Sequence, residues 1–100
     1  MIYITQLIYI KQGQEEVFDQ FESVAMPIIP KYNGRLLLRL RPSEATVIEQ
    51  NIASPYEVHL VEFNSEVDFQ NFMKDEERKR FLHLKEMSIE SSFLIKGEKV

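Results

Sequence analysis

The spacing of apolar residues changes along the chain, and the order of these changes restricts the fold more than any single motif does. The segment Ile2–Ile10 is rich in β-branched and aromatic side chains, which is typical of a strand. From residue 14 to residue 28 apolar residues recur every three or four positions, which predicts an amphipathic helix. Pro27 should end its regular part. Asn33-Gly34 indicates the end of the whole segment, because both residues tolerate positive φ.

The period then returns to two. The segment Arg35–Arg41 predicts a second strand with leucines 36, 38 and 40 on one face and Arg35, Leu37, Arg39 and Arg41 on the other. Residues 56–63 predict a third strand. The stretch between them, residues 42–55, is long for a hairpin loop and contains Thr46–Ile48, which could form a short extra strand or a flap.

A second helical region follows, with Ser65 as its predicted N-cap and a break near Asp75. Residues 89–96 predict a fourth strand. The order β-α-β-β-α-β is that of an α+β, ferredoxin-like fold, in which two helices cover one face of a four-stranded antiparallel sheet. We expect one such domain over residues 1–100.

The other face of this sheet is too apolar to stay in water. Tyr3, Leu7, Tyr9 and Leu37 would be exposed on a monomer, in a patch larger than monomers usually show. A second copy packed sheet against sheet is the simplest cover. The sequence therefore predicts a homodimer that forms an α/β barrel.

Composition excludes several classes of site. The chain has no cysteine and only 3 glycines, so thiolate chemistry and a glycine-rich phosphate loop are ruled out. A formal charge of −4 disfavours nucleic acid as a partner. The apolar N-terminal ten residues are shorter than the roughly twenty a membrane span needs, and they lack the features of a secretory signal. We expect a cytoplasmic protein without a membrane partner.

Two runs carry a family resemblance. KYNGRLLLR (Lys31–Arg39) and VEFNSEVDFQNF (Val61–Phe72) resemble the two signatures of a small family of uncharacterised bacterial proteins. That family belongs to the dimeric α/β-barrel superfamily, whose members include antibiotic-biosynthesis monooxygenases, haem-degrading enzymes and muconolactone isomerases. The resemblance implies dimerisation more firmly than it implies any chemistry.

Charged residues on the strands give the first candidate site. Arg39 could pair with Glu62 across the sheet, either as a structural ion pair or to hold an anionic ligand. If the face of Phe63 packs on the helices, Glu62 faces the cleft on the opposite side and His59 is a buried, hydrogen-bonded core histidine. The reverse parity would put His59 in the cleft.

Two further residue types suit either a ligand or an interface. If the isoleucine face of the first strand packs on the helices, Tyr3, Thr5 and Tyr9 line the cleft, where they could bind a small phenolic or hydrophobic ligand or contact a second copy. His83 lies on the second helical region, where haem-degrading relatives use a histidine. A surface or interfacial role is more common, and the chain has no tryptophan of the kind those relatives rely on.

The sequence thus supports a dimer that binds a small organic ligand through Tyr3, Arg39, Glu62 and His83. The alternative is a cofactor-independent monooxygenase or isomerase, in which Arg39 holds a substrate anion and Glu62 or His83 moves a proton. No catalytic residue is assigned, and we expect neither a cofactor nor a metal, since two distant histidines without cysteine make a weak ligand set.

Overall fold

A computed structural model describes residues 1–100 as a sheet of four antiparallel strands with every helix on one side. The strands are β1 (Ile2–Ile10), β2 (Gly34–Leu40), β3 (Glu57–Phe63) and β4 (Ile89–Gly97), in the order β2-β3-β1-β4. The helices are α1 (Glu15–Ala25), a 3₁₀ segment (Met26–Tyr32), α2 (Glu66–Met73), α3 (Glu76–Arg80) and α4 (Leu82–Ser88). The predicted ferredoxin-like fold is confirmed. No helix has both the length and the apolar character that crossing a bilayer requires.

The two faces of the sheet differ in their surroundings. The inner face, which packs on the helices, carries alternate residues of β1 such as Ile4 and Ile8, both almost completely buried. Ile4 joins Val61 and Phe63 of β3 in one cluster, which Ile29 and Phe69 of the helical layer complete. The outer face has no covering layer, and the molecule is only 16 Å thick in its shortest dimension.

The turn into β2 explains the Asn-Gly pair. Asn33 adopts the left-handed conformation (φ 57°), which ends the 3₁₀ segment, and its N–H donates to the carbonyls of Ile29 and Pro30. Gly34 follows where the backbone lies directly against the core. A Cβ at this position would come within 2.6 Å of the Phe63 ring and 2.7 Å of Ile29. Only glycine therefore fits at this point without repacking.

The second helical region is broken at Asp75, as the sequence predicts. Ser65 caps α2, since its Oγ accepts from the N–H of Asp68 at 3.2 Å. Asp75 caps α3 by accepting the N–H of Arg78 at 2.8 Å, and it also accepts the hydroxyl of Tyr32. A carboxylate at the start of a helix is favourable because it satisfies free N–H groups. The break therefore starts a new helix at Glu76, which contains Arg78.

The second strand contains an irregularity that the alternating sequence does not reveal. Leu36 pairs with Val61 on β3, but the next register position pairs Leu38 with Leu60, so one extra residue bulges at Leu37. The bulge exchanges the faces of everything that follows it. The prediction that Arg35, Arg39 and Arg41 share one face is therefore wrong: Arg35 is level with Glu62, and Arg39 is level with His59.

The loop before β3 also differs from the prediction. Thr46–Ile48 does not form a strand, since residues Glu44–Thr46 make a short 3₁₀ turn that begins at Ser43. The Ser43 N–H donates to the Thr46 hydroxyl at 3.0 Å, which closes the turn locally. The loop is attached to the sheet by the Tyr9 hydroxyl, which donates to the carbonyl of Ala53 at 2.7 Å.

Candidate functional site

A cavity of about 140 Å³ lies between the inner face of the sheet and the helices. Most of its wall is apolar and comes from both layers. The aromatic and sulfur-containing part consists of Phe21, Met26, Phe63, Phe69, Phe72 and Met73. The polar part consists of Gln6, Glu22, His59, Arg78, Lys85 and Ser92. A mostly apolar cavity with a few polar groups has the composition of small-molecule sites.

A network of charges lies beside the cavity, at the start of β3. Glu57 is fully buried, and its carboxylate accepts from Arg39 Nε at 3.0 Å and from Arg41 Nε at 2.9 Å. His59 Nε2 also donates to this carboxylate, and Glu22 of α1 lies 4.0 Å from the same nitrogen. We call these five residues the Glu57 cluster. Its members reach the same place because Glu57 and His59 are two apart on β3 and the bulge turns the arginines inward.

The two carboxyl groups of the cluster have opposite electrostatics. Burial raises the pKa of Glu22 to about 7, and the attraction of nearby His59 only partly offsets that effect. Burial alone would also raise the pKa of Glu57, but hydrogen bonds from His59, Arg39 and Arg41 outweigh it and lower the pKa to about 2. Glu57 is therefore a permanent anion near neutral pH, whereas Glu22 exchanges its proton there.

Glu22, Glu57 and His59 also have the chemistry of a metal-ligand set, because one ligand atom from each lies within 4.8 Å of the others. A cation would have to compete with the two guanidinium groups that already neutralise Glu57. The donors present therefore suit a hydrogen-bonded charge network better than a metal centre.

The predicted pairing of Arg39 with Glu62 is wrong. Glu62 on the outer side of β3 pairs with Arg35 at 3.0 Å, while Arg39 pairs with Glu57 on the inner side. The physical reason is the bulge at Leu37, which moves Arg39 through the plane of the sheet. His59 lies on the same face as Phe63 and is buried and hydrogen-bonded, in agreement with the first of the two parities considered.

The four residues predicted to bind a ligand do not meet in one place. Tyr3 and Glu62 face each other across β1 and β3 and line an open depression of about 550 Å³ on the outer face. Arg39 belongs to the Glu57 cluster on the inner side. His83 is exposed on α4, where its ring stacks on Phe81 with centroids 6.4 Å apart. A ligand-binding role for any of them stays a prediction.

The residues that the sequence reasoning missed are the polar ones inside the apolar stripes. Glu22 follows Phe18 by four positions and precedes Ala25 by three, so helical spacing alone places it on the buried face of α1. Glu57 shares the parity of His59 on β3 in the same way. Arg78 is 6% exposed, although it lies within a run of charged residues typical of a solvated helix face. No signal in that run distinguishes it from Arg80.

Comparison with known proteins identifies the fold alone. No family model matches the sequence, and no curated protein sequence matches it. Among solved structures, a protein of unknown function from Rhodopseudomonas palustris superposes with a TM-score of 0.83 at 14% identity, covering 99% of this chain and 82% of that one. An uncharacterised NIPSNAP domain protein from Burkholderia xenovorans gives 0.72 at 13% identity, covering 100% and 95%.

A third similar structure is a dimeric protein of unknown function and ferredoxin-like fold from Bacteroides fragilis. It has a TM-score of 0.71 and 12% identity and covers 98% of this chain and 95% of that one. Identities this low show the ferredoxin-like architecture and leave activity open.

Proposed function

We propose that this protein binds a small organic molecule in the cavity between its sheet and its helices. The observation that carries the proposal is the cavity itself, which has an apolar wall and polar groups on α1, β3 and α3. A dry cavity of about 150 Å³ in another protein holds benzene, so 140 Å³ has room for one small ring or a short branched chain. The site differs from the outer cleft expected from the sequence.

Methionine methyl groups provide a direct test. Met26 and Met73 line the cavity, whereas Met1 and Met87 are more than half exposed elsewhere and act as internal references. We expect toluene, a neutral apolar probe, to shift the NMR signals of the first pair and leave the second pair unchanged.

A matched pair of variants completes this test. Ala25→Leu should fill the cavity and abolish the shifts, because Ala25 is a buried part of its wall. Ala45→Leu makes the same change at an exposed loop position and should leave them intact. Equal shifts at all four methionines, or none at all, would refute a specific cavity site.

We further propose that two copies pair through the outer face. Large apolar side chains are exposed there on the two edge strands of the sheet, β2 and β4, among them Leu38, Leu40, Phe93 and Ile95. The ring of Phe93 packs edge to face on Tyr9, which extends the apolar surface to the middle of the sheet. The similar protein from Bacteroides fragilis is described as dimeric. Packed sheets lie about 10 Å apart, which would remove these side chains from water.

Sedimentation should give twice the chain mass for the wild type and the single chain mass for Phe93→Asp. Val67→Asp is the matched control, since Val67 is 65% exposed on α2, on the opposite side of the molecule. A wild-type monomer, or a dimer that survives the Phe93 substitution and not the Val67 one, would contradict pairing through this face.

One observation favours an isomerase as a second candidate. Glu22 borders the cavity, its pKa is raised to about 7, and it lies beside the His59–Glu57 pair. A carboxyl group that gains and loses a proton near neutral pH suits proton transfer to and from a bound carbon acid. This version of the predicted enzyme uses Glu22 instead of Glu62 or His83. The measurement is the exchange of solvent deuterium into the carbon next to the carbonyl of a bound ketone. Exchange that persists in Glu22→Gln would exclude Glu22 as the group that moves the proton.

A further inference from the structure

Arg78 is a buried charge without a full set of hydrogen-bond partners. It is 6% exposed, and its Nε is buried without any hydrogen-bond partner. One of its terminal nitrogens donates to the carbonyl of Met73 at a long 3.3 Å. Buried polar groups are nearly always paired, because an unpaired donor loses its hydrogen bonds to water and gains none in return. An orphaned donor on a cationic side chain therefore calls for an explanation.

The surroundings hold Arg78 in place without an ion pair: Glu22 and Asp75 attract its charge, but neither carboxylate bonds to its guanidinium group. Its guanidinium carbon lies 5.3 Å from the ring centre of Phe72 and 5.8 Å from that of Phe21, within range of cation–π attraction. The backbone N–H of the same residue is bound by Asp75, which fixes the start of α3. Arg78 is thus presented to the cavity by its helix and by two aromatic faces.

The charges around the cavity leave a positive excess. Arg78 and Lys85 are the two cationic side chains in its wall, and burial lowers the pKa of both. Glu22 is the one carboxyl group in the wall, and it holds a proton part of the time near neutral pH. Glu57 offers no compensation, because Arg39, Arg41 and His59 already occupy its oxygens.

A carboxylate meets each of these conditions. It accepts hydrogen bonds from a guanidinium group with favourable geometry, and it would supply the missing partner of Nε. It would also offset the repulsion between Arg78 and Lys85. The remaining wall, with Phe63 and Phe69 in contact at a centroid distance of 5.5 Å, is suited to an apolar body.

We propose that the cavity selects a small organic anion: a monocarboxylate with a single ring or a short branched chain, whose carboxylate contacts Arg78 and whose apolar part lies among Phe63, Phe69 and Phe72. This inference rests on the proposed function, because it assumes that the cavity holds a small organic molecule. The inference adds that the ligand is negatively charged and that Arg78 binds its charged group.

Benzoate and benzamide test it, since they have nearly the same shape and differ in charge. Binding is followed on the wild-type protein through the methyl signals of Met26 and Met73 and by calorimetry. Benzoate should bind at least about tenfold more tightly than benzamide, as expected for a charge-assisted hydrogen bond in a buried site. Arg78→Gln should remove this preference, because it removes the charge by which the site distinguishes the two probes. Arg80→Gln, an exposed arginine on the same helix, should preserve it.

The outcomes separate the two proposals. If benzamide binds as tightly as benzoate to the wild type, the anion inference is overturned and the cavity site stands. If benzoate retains its advantage in Arg78→Lys but loses it in Arg78→Gln, a positive charge at this position sets the preference. If benzoate is favoured equally in wild type and Arg78→Gln, Arg78 does not bind the carboxylate and the proposed contact is wrong. If toluene, benzoate and benzamide all fail to shift Met26 and Met73, the proposed function fails with it.

Discussion

The two faces of the sheet use the same kind of ion pair in very different surroundings. On the outer face Arg35 meets Glu62 at 3.0 Å, and the arginine side chain is 73% exposed. On the inner face Arg39 meets Glu57 at the same distance, but the glutamate side chain is 1% exposed and shared with Arg41 and His59. Equal geometry therefore does not mean equal energy, because Glu57 is fully buried and has three partners, whereas the outer pair has one arginine that lies mostly in water.

The faces also differ in what they leave unfinished. The inner face satisfies its buried charges within one chain, apart from Arg78 beside the cavity. The outer face leaves apolar side chains in water, among them Leu38 and Phe93. The missing negative charge is the basis for proposing a small ligand inside, and the exposed apolar surface is the basis for proposing a second copy outside.

The largest expected effect is at the centre of the inner network. Glu57→Gln removes the buried negative charge and leaves Arg39, Arg41 and His59 without their common counter-charge, so we expect a loss of about 3 kcal/mol in the free energy of unfolding. Glu66→Gln breaks an exposed pair with Lys96 and should lower it by less than about 1 kcal/mol. Urea denaturation of both variants measures the difference. Equal losses would mean that burial does not distinguish the two pairs.

The next effect is a pH dependence that isolates Glu22. Its pKa is raised from 4.5 to about 7 in the folded protein, so between these values the folded state holds a proton that the unfolded state has released. Stability should therefore fall as pH rises from 4.5 to 7, by up to about 3 kcal/mol. Glu57 acts in the opposite direction and in another window: its stabilisation is complete above pH 4.5 and is lost as pH falls toward 2.

Thermal denaturation across pH 4.5–7 tests this expectation. Glu22→Gln should flatten the decline, whereas Glu16→Gln, an exposed position on the same helix, should keep it. A wild-type profile that rises with pH over this window would show that another group dominates.

The smallest effect compares the two arginines on either side of the bulge. Arg39→Gln should lower the free energy of unfolding by about 1–2 kcal/mol, because it removes a donor from a buried carboxylate. Arg35→Gln should lower it by less, at most about 1 kcal/mol, since the Arg35 side chain is 73% exposed. Both are best measured in the Phe93→Asp background, so that the proposed pairing through the outer face does not contribute to the difference. A larger loss for Arg35 would reverse the assignment of faces.

Much of the fold follows from the sequence because the boundaries of its elements are set by residues that are adjacent in the chain. The ends of β1, the stop at Asn33 and the break at Asp75 each depend on a few adjacent residues, and each agrees with the structure. The facing of Arg39 does not, since it depends on one residue that loops out of the ladder upstream. Alternation carries no mark of that event when every residue from Leu36 to Leu38 is leucine.

The candidate site was harder to predict for a related reason. Helical spacing identifies Glu22 as buried. It does not identify Arg78, because every residue from Lys74 to Arg80 is charged and the spacing does not show which of them is buried. Its burial depends on the angle at which α3 leaves the break and on the aromatic rings it meets there. Such tertiary contacts join residues that are distant in the chain.

The extra residue at Leu37 acts on the strand as a frameshift acts on a message. Before the bulge, odd-numbered side chains of β2 lie on the outer face of the sheet. After it, odd-numbered side chains lie on the inner face. A relative that lacked this residue would have to move its arginines by one place to keep the carboxylate on β3 neutralised. A difference of one residue in the length of β2 should therefore accompany a changed spacing of its basic residues. An alignment that matched arginine to arginine without a gap would then pair side chains on opposite faces of the sheet.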